Sequence, residues 1–210
     1  MAAGTAGRID LPILGVGVLR ERADAARNRL RILAAAERLF ASRGVNEITM
    51  DDVAAEAGVG KGTLYRRFGD KGGLAVALLD ERERELQQRI LSGPPPLGPG
   101  SAPGARLTAF ITAYLDLASA HIDLMELSET SAPGARLRTG AYAFWRQHLH
   151  YLLSDAGAAD PRLRADLLLA SLAAEQVRHW LQDEGLSPTE LVQGLSAVSL
   201  ALTQPRLPGG

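Results

Sequence analysis

Apolar residues in this chain recur at steps of three and four, the period of one α-helix face, and β-branched runs are scarce. Ile32, Ala36, Leu39 and Phe40 mark the inner face of a first helix, from about Ala23 to Arg43, ended by Gly44. Val53, Ala54 and Ala57, then Leu64 and Phe68, fit two short helices. Leu74, Ala75, Leu78 and Leu79 begin a fourth that ends near Leu91. Leu107, Phe110, Ile111, Tyr114, Leu115 and Ala118 resume the period, and Ile122 to Leu127 suits a short helix. The next runs from about Ala135 to Asp155, with Leu137, Ala141, Phe144, Trp145, His148 and Leu152 on one stripe. Asp160-Pro161 opens a helix to about Glu184, with Leu163, Leu167, Ala170, Ala174, Val177 and Leu181 in step. Ser187-Pro188 caps the last, with Leu191, Leu195, Val198 and Leu202 aligned. The pattern predicts an all-α fold of about nine helices.

Breaks in the pattern divide the chain. Residues 1–22 are rich in glycine and are expected to be a flexible tail, or else an arm whose Arg20 and Arg22 approach DNA. Residues 23–71 form an N-terminal three-helix domain, and 72–204 a C-terminal helical bundle. Within the bundle, 92–104 (SGPPPLGPGSAPG) cannot continue a helix and is a surface loop rather than a peptide-recognition motif. Residues 205–210 are a second tail. Leu168, Leu169, Leu172 and Ala173 widen the apolar surface of the 160–184 helix to two sides. A helix apolar on two sides must be covered on two sides. The second cover is expected to be another copy of the chain, through helices near 162–184 and 188–203, making a four-helix homodimer interface.

The most informative stretch is Ile48 to Lys71, ITMDDVAAEAGVGKGTLYRRFGDK. Thr49 can cap a helix start, and Asp52 three residues later can reach back to it. Gly58-Val59-Gly60 breaks that helix with a residue tolerant of the left-handed conformation. Leu64 and Phe68 fall on one face of the next helix and turn inward. Lys61, Thr63, Arg66 and Arg67 lie opposite, with Tyr65 at the edge. Two short helices around a glycine turn, the second polar and cationic, make a helix-turn-helix suited to a DNA major groove.

These residues resemble a known family. Thr49-Met50-Asp51-Asp52-Val53-Ala54, Ala57-Gly58-Val59, Gly62-Thr63-Leu64-Tyr65-Arg66-Arg67-Phe68, Lys71 and Leu74 look like the signature of TetR-type transcriptional regulators. The resemblance covers roughly residues 25–79. It implies an N-terminal DNA-binding domain and a C-terminal ligand-binding and dimerisation domain. Lys61, Gly62 and Arg66 match positions that face base edges, with Thr63 beside them. Thr49, Tyr65, Arg67 and Lys71 match positions that hold phosphates. Arg67 stands where many relatives carry histidine.

Charge fits this division. The net charge is −1, but residues 1–73 hold 12 Lys/Arg against 9 Asp/Glu, and the remainder 11 against 15. Arg27, Arg29 and Arg31 crowd the expected first turns of helix one, where cations oppose the helix dipole unless a phosphate or solvent relieves them. Asp80 to Glu85 alternates in sign and suggests an exposed, salt-bridged surface. With no cysteine there are no disulfides or thiolate sites. No apolar run is long enough to span a membrane. Leu11 to Leu19 has a single upstream arginine, Asp10 at its edge and internal glycines, which does not suit a secretory signal, so a cytoplasmic location is expected.

The bundle carries aromatics with a few polar groups, suited to a small-molecule pocket. The candidates are Tyr114, His121, Met125, Tyr142, Trp145, His148, Glu175, Arg178, His179 and Trp180. His148 and His150 point to roughly opposite faces, and no catalytic or metal motif accompanies them, so neither a metal site, a cofactor nor catalysis is expected. The resulting expectation is a cytoplasmic TetR-like repressor that binds a palindromic operator in double-stranded DNA as a homodimer and is released by an unidentified small-molecule effector. The alternatives are an activator or ligand-independent regulator of the same fold, a dimeric scaffold that has lost its ligand, and a helical enzyme or binding module whose helix-turn-helix is structural.

Overall fold

The computed structural model describes residues 16–205, with side chains from Asp24 onward. The described residues form nine α-helices and no strand: α1 (Val16–Arg43), α2 (Met50–Ala57), α3 (Lys61–Phe68), α4 (Lys71–Ser92), α5 (Pro103–Thr130), α6 (Gly140–Asp155), α7 (Pro161–Ser171), α8 (Ala174–Arg178) and α9 (Pro188–Ala201). No helix among them is long and apolar enough to cross a membrane. Residues 1–15 and 206–210, and with them most of the two expected tails, lie outside the described residues, as do the side chains of Arg20 and Arg22.

Local chemistry sets the helix ends. Thr49 and Ser187 each close a reciprocal capping box, with Asp52 and Glu190. Asp70 accepts the Gly73 N–H at 2.8 Å and starts α4; Thr139 accepts the Tyr142 N–H at 3.1 Å and starts α6. Proline at the first turn of α5, α7 and α9 costs no hydrogen bond there.

Two cores result. In the smaller, Ile32 and Phe40 of α1 meet Val53 of α2, Leu64 of α3 and Leu74 of α4. In the larger, α4 supplies Leu79, Leu86 and Ile90 to a bundle with α5 to α9, centred on Phe110, Trp145 and Leu149. Leu78 of α4 and Leu124 and Leu127 of α5 pack against the smaller core from the bundle side. Helix α4 therefore belongs to both, and the packing of the N-terminal unit continues past residue 71 to Leu74 and Leu78.

The structure departs from the sequence expectation in several places. α1 begins at Val16 rather than near Ala23. Arg27, Arg29 and Arg31 consequently sit in mid-helix, where Arg27 pairs with Asp24, Arg29 with Asp80 at 3.3 Å, and Arg31 with Asn28 at 2.9 Å. The expected separate helix at 122–127 is the second half of α5, set off only by non-helical angles at His121 (φ −135°, ψ 27°). α6 starts at Gly140, after a single 3-10 turn at Arg136–Arg138. The 92–104 loop is stapled: buried Arg106 donates to the Ile90 carbonyl at 3.3 Å and to Leu97 at 3.4 Å.

The largest departure is at the expected 160–184 helix. α7 stops at Ser171, Ala173 is extended (ψ 141°), and α8 is followed by a π turn at His179–Asp183. Side chains from elsewhere take over the backbone groups this break releases. Tyr114 donates to the Leu172 carbonyl at 3.1 Å, Arg136 to Leu169 at 2.7 Å, and Glu129 accepts the Ala174 N–H at 2.8 Å. Buried α7 residues are Ala165, Leu168 and Leu169, whereas Leu163 and Leu167 are 59 % and 55 % exposed. Leu163 and Leu167 thus face outward on α7, and Val198 and Leu200 of α9 are exposed as well.

Candidate DNA interface and effector pocket

The helix-turn-helix is rigidly built. Thr49 Oγ1 accepts the Asp52 N–H at 3.2 Å and sits 2.7 Å from the Asp52 carboxylate, which also accepts the Thr49 N–H at 2.9 Å. These bonds from Thr49, side chain first and then backbone, hold the Asp52 carboxyl below its ordinary range. Gly58 closes α2 at φ 62°, a conformation other residues adopt at a cost. Leu64 is fully buried and Phe68 half-buried, which turns the rest of α3 outward.

Lys61, Gly62, Tyr65, Arg66 and Arg67 are exposed on that outward surface, and Thr63 is half-buried beside them. Lys61 is ion-paired with Asp51, whose hydrogen bond and charge raise its pKa. Arg66 and Arg67 have no hydrogen bond or ion pair among the described residues. A Cβ added at Gly62 would meet nothing within 4 Å among the described residues, so its missing side chain serves no packing there. The remaining two expected DNA residues are already engaged. Thr49 caps α2, and Lys71 Nζ reaches the Asn46 carbonyl at 3.4 Å. An Arg38–Glu56 pair at 2.9 Å braces α1 against α2.

In the body, four of the ten expected ligand residues meet around one cavity: Tyr114, Met125, Tyr142 and Trp145. Its free space is about 20 Å³, room for one water. The other six lie elsewhere. His121 lines a separate cavity of about 370 Å³ between α1, α4 and the bend in α5. His148 is buried against Phe110, ring centroids 5.5 Å apart, and burial, helped by Arg106, lowers its pKa to about 4. Glu175 is exposed. Arg178 pairs with Asp123 and Glu126, and His179 with Asp183 at 2.9 Å. Trp180 packs on the outside of the larger core.

The sequence reasoning missed the charged lining of the first cavity. Glu83, Glu129 and Arg136 all face it. Glu129 and Arg136 pair at 2.9 Å, and the Arg136 guanidinium lies over the Tyr142 ring, 4.9 Å from its centroid. Glu83 has no hydrogen bond or ion pair among the described residues. Burial, and then the charges of Asp80 and Glu129, push its pKa up to about 7 against the pull of Arg84. Glu83 belongs to the stretch expected to be an exposed charged surface. There the Asp80–Arg84 pair does form, at 3.2 Å, while Glu83 turns inward. Its position, on the same α4 face as Leu79, Leu86 and Ile90, was the available signal.

Comparison with known proteins agrees with this architecture. The profile of the family described as bacterial regulatory proteins, tetR family, matches residues 32–78. An HTH-type transcriptional regulator of Staphylococcus aureus is 51 % identical over 69 residues, 33 % of this chain and 36 % of the relative. The chain thus matches about a third of that relative's length. Among solved structures, a TetR-family regulator from Pectobacterium atrosepticum superposes with a TM-score of 0.61 at 24 % identity, covering 88 % of this chain and 99 % of that one. A transcriptional regulator from Rhodococcus sp. RHA1 gives 0.61 at 21 %, covering 83 % and 95 %. The sequence match lies in the helix-turn-helix unit, and the whole described fold follows the same plan. Residues 32–78 thus match the tetR-family domain, and the fold of the described residues is like that of the solved regulators.

Proposed function

We propose that the protein regulates transcription by binding, as a homodimer, an inverted repeat in double-stranded DNA, and that it acts as a repressor released by a small molecule. The observation that carries the DNA reading is the outer face of α3. It presents Lys61, Arg66 and Arg67 around a glycine whose bareness has no internal use. Arginine and lysine at base edges donate to guanine, and neighbouring cations on phosphates set the register. Exposed Leu163, Leu167, Val198 and Leu200 support the dimer, because these side chains give α7 and α9 apolar surface that the described residues leave uncovered. Two copies joined there would offer two α3 helices to successive major grooves, about 34 Å apart. A cytoplasmic location and a regulatory rather than catalytic role belong to the same proposal.

Selection from a random duplex pool tests the reading. An inverted repeat whose binding weakens steeply with salt is the expected result. Failure to enrich any sequence, with no retention of duplex at low salt, would overturn it.

A second reading has an observation in its favour. With about 20 Å³ free, the cavity around Tyr114 and Trp145 is filled nearly as a ligand-independent regulator's would be. The inward, half-buried Glu83, unpaired among the described residues, supports an effector instead, since a close-packed wall gains nothing from a lone carboxylate. A thermal-shift screen separates the two: stabilisation by a compound class favours the effector.

A further inference from the structure

The charged groups lining the cavity between α4, α5 and α6 do not balance. Glu129 and Arg136 neutralise each other at 2.9 Å, and Glu129 also accepts the Ala174 N–H. Arg136 is further tied to the Leu169 carbonyl, so it is committed to holding the α7–α8 break. Glu83 is left over, a carboxylate without a partner among the described residues, facing the same space as Tyr142 and Trp145. A buried carboxylate is stabilised by a positive charge, and aromatic rings attract cations on their faces. Arg136 over Tyr142 already displays that preference within the chain.

Resting on the reading of the body as an effector site, we propose that the effector is an organic monocation whose charge seats against Glu83 and whose carbon frame lies on Tyr142 and Trp145. One positive charge closes the balance; an anion would add to the negative excess that Glu83 leaves. A bare metal ion does not suit the site, because no group of three His, Cys, Asp or Glu that could hold one occurs among the described residues. The free space of about 20 Å³ means that any molecule larger than water enters only as the walls part. Glu83 stands on α4, so the wall it belongs to is continuous with the helix that packs on the reader.

Matched probes on the full-length protein test this: benzyltrimethylammonium, benzyl alcohol and benzoate, followed by melting temperature, tryptophan fluorescence and retention of selected DNA. The cation is expected to bind at least tenfold more tightly than the alcohol, with benzoate weakest. Glu83→Gln, nearly the same shape, is expected to erase the cation's advantage. Around Glu83 stand Asp80 and Arg84 on its own helix, Glu129 and Tyr114 on α5, and Arg136 before α6. Since Glu83 takes up its charge near pH 7, cation affinity should rise about tenfold from pH 6 to pH 8. Binding of alcohol or benzoate as tight as the cation's, or a Glu83→Gln protein with unchanged preference, overturns the monocation and leaves the effector reading standing. If no probe of any charge binds or releases DNA, both fall.

Discussion

The Tyr114 hydroxyl donates to the Leu172 carbonyl at 3.1 Å, tying the middle of α5 to the backbone where α7 gives way. Both residues are buried, and the carbonyl lies at a helix end, outside the regular ladder. Tyr114→Phe keeps the ring and strands that acceptor. A cost of about 1–2 kcal/mol is expected, read as a lower midpoint in urea denaturation at unchanged slope. An unaltered midpoint would show that water satisfies Leu172 equally well.

Gly62 separates folding from recognition. Gly62→Ala meets no atom of the described residues and places a better helix former in α3, so stability should hold or rise by about 0.5 kcal/mol. DNA affinity should fall, because the added methyl group occupies the approach to the bases. Thermal melting beside fluorescence anisotropy on one duplex checks both halves at once.

Lys61 and Arg67 should fail differently. Lys61→Ala is expected to cost about 1–3 kcal/mol of binding and to relax preference at one base position of each half-site. Arg67→Ala should weaken binding about evenly across sequences and lower the salt slope by roughly one for each phosphate no longer neutralised. Binding titrations over a mutated operator series at two or more salt concentrations distinguish them.

Leu167→Asp is expected to yield a folded monomer. In one chain Leu167 is 55 % exposed, so the substitution leaves both cores intact. Placed against its counterpart in a dimer, the carboxylate would be buried unpaired. Sedimentation velocity should show half the wild-type mass, and operator binding should drop by far more than twofold. A dimer that persists would move the interface away from α7.

The pH dependence of stability should carry a Glu83 component. Its folded pKa, about 7, lies above the ordinary glutamate value of 4.5, so the folded state holds the proton more tightly than the unfolded. The stabilisation is full below about pH 4.5 and is lost as pH rises through 7. Glu83→Gln should therefore gain on the wild type between pH 5 and pH 8, by about 1–2 kcal/mol after allowance for solvent access. Urea midpoints of both proteins across that range provide the check.

Much of this architecture was legible in the residues themselves. Thr49 with Asp52 and Ser187 with Glu190 announce helix starts, and both boxes form. The glycine turn before Lys61 and the inward placement of Leu64 also follow from local rules. What escaped was decided by distant partners. Nothing at Leu172-Ala173 marks a break, because no glycine or proline stands there; the break persists because Tyr114, Glu129 and Arg136, remote in sequence, satisfy its backbone. Glu83 sits among five charged neighbours whose alternation hides the one position that points inward. His148 and Arg178 have the chemistry of pocket residues but are engaged by packing and ion pairs, while His121 lines a cavity separate from that of Tyr114 and Trp145.

Leu74 and Leu78 lie beyond the last residue of α3, on a helix that runs into the body, yet they belong to the interior of the DNA-reading unit. A fragment cut at residue 71 would leave Phe40, Val53 and Leu64 facing an open hole. Grafting this reader onto another regulator's body therefore requires a splice beyond the second turn of α4, with the donor's own leucines carried across.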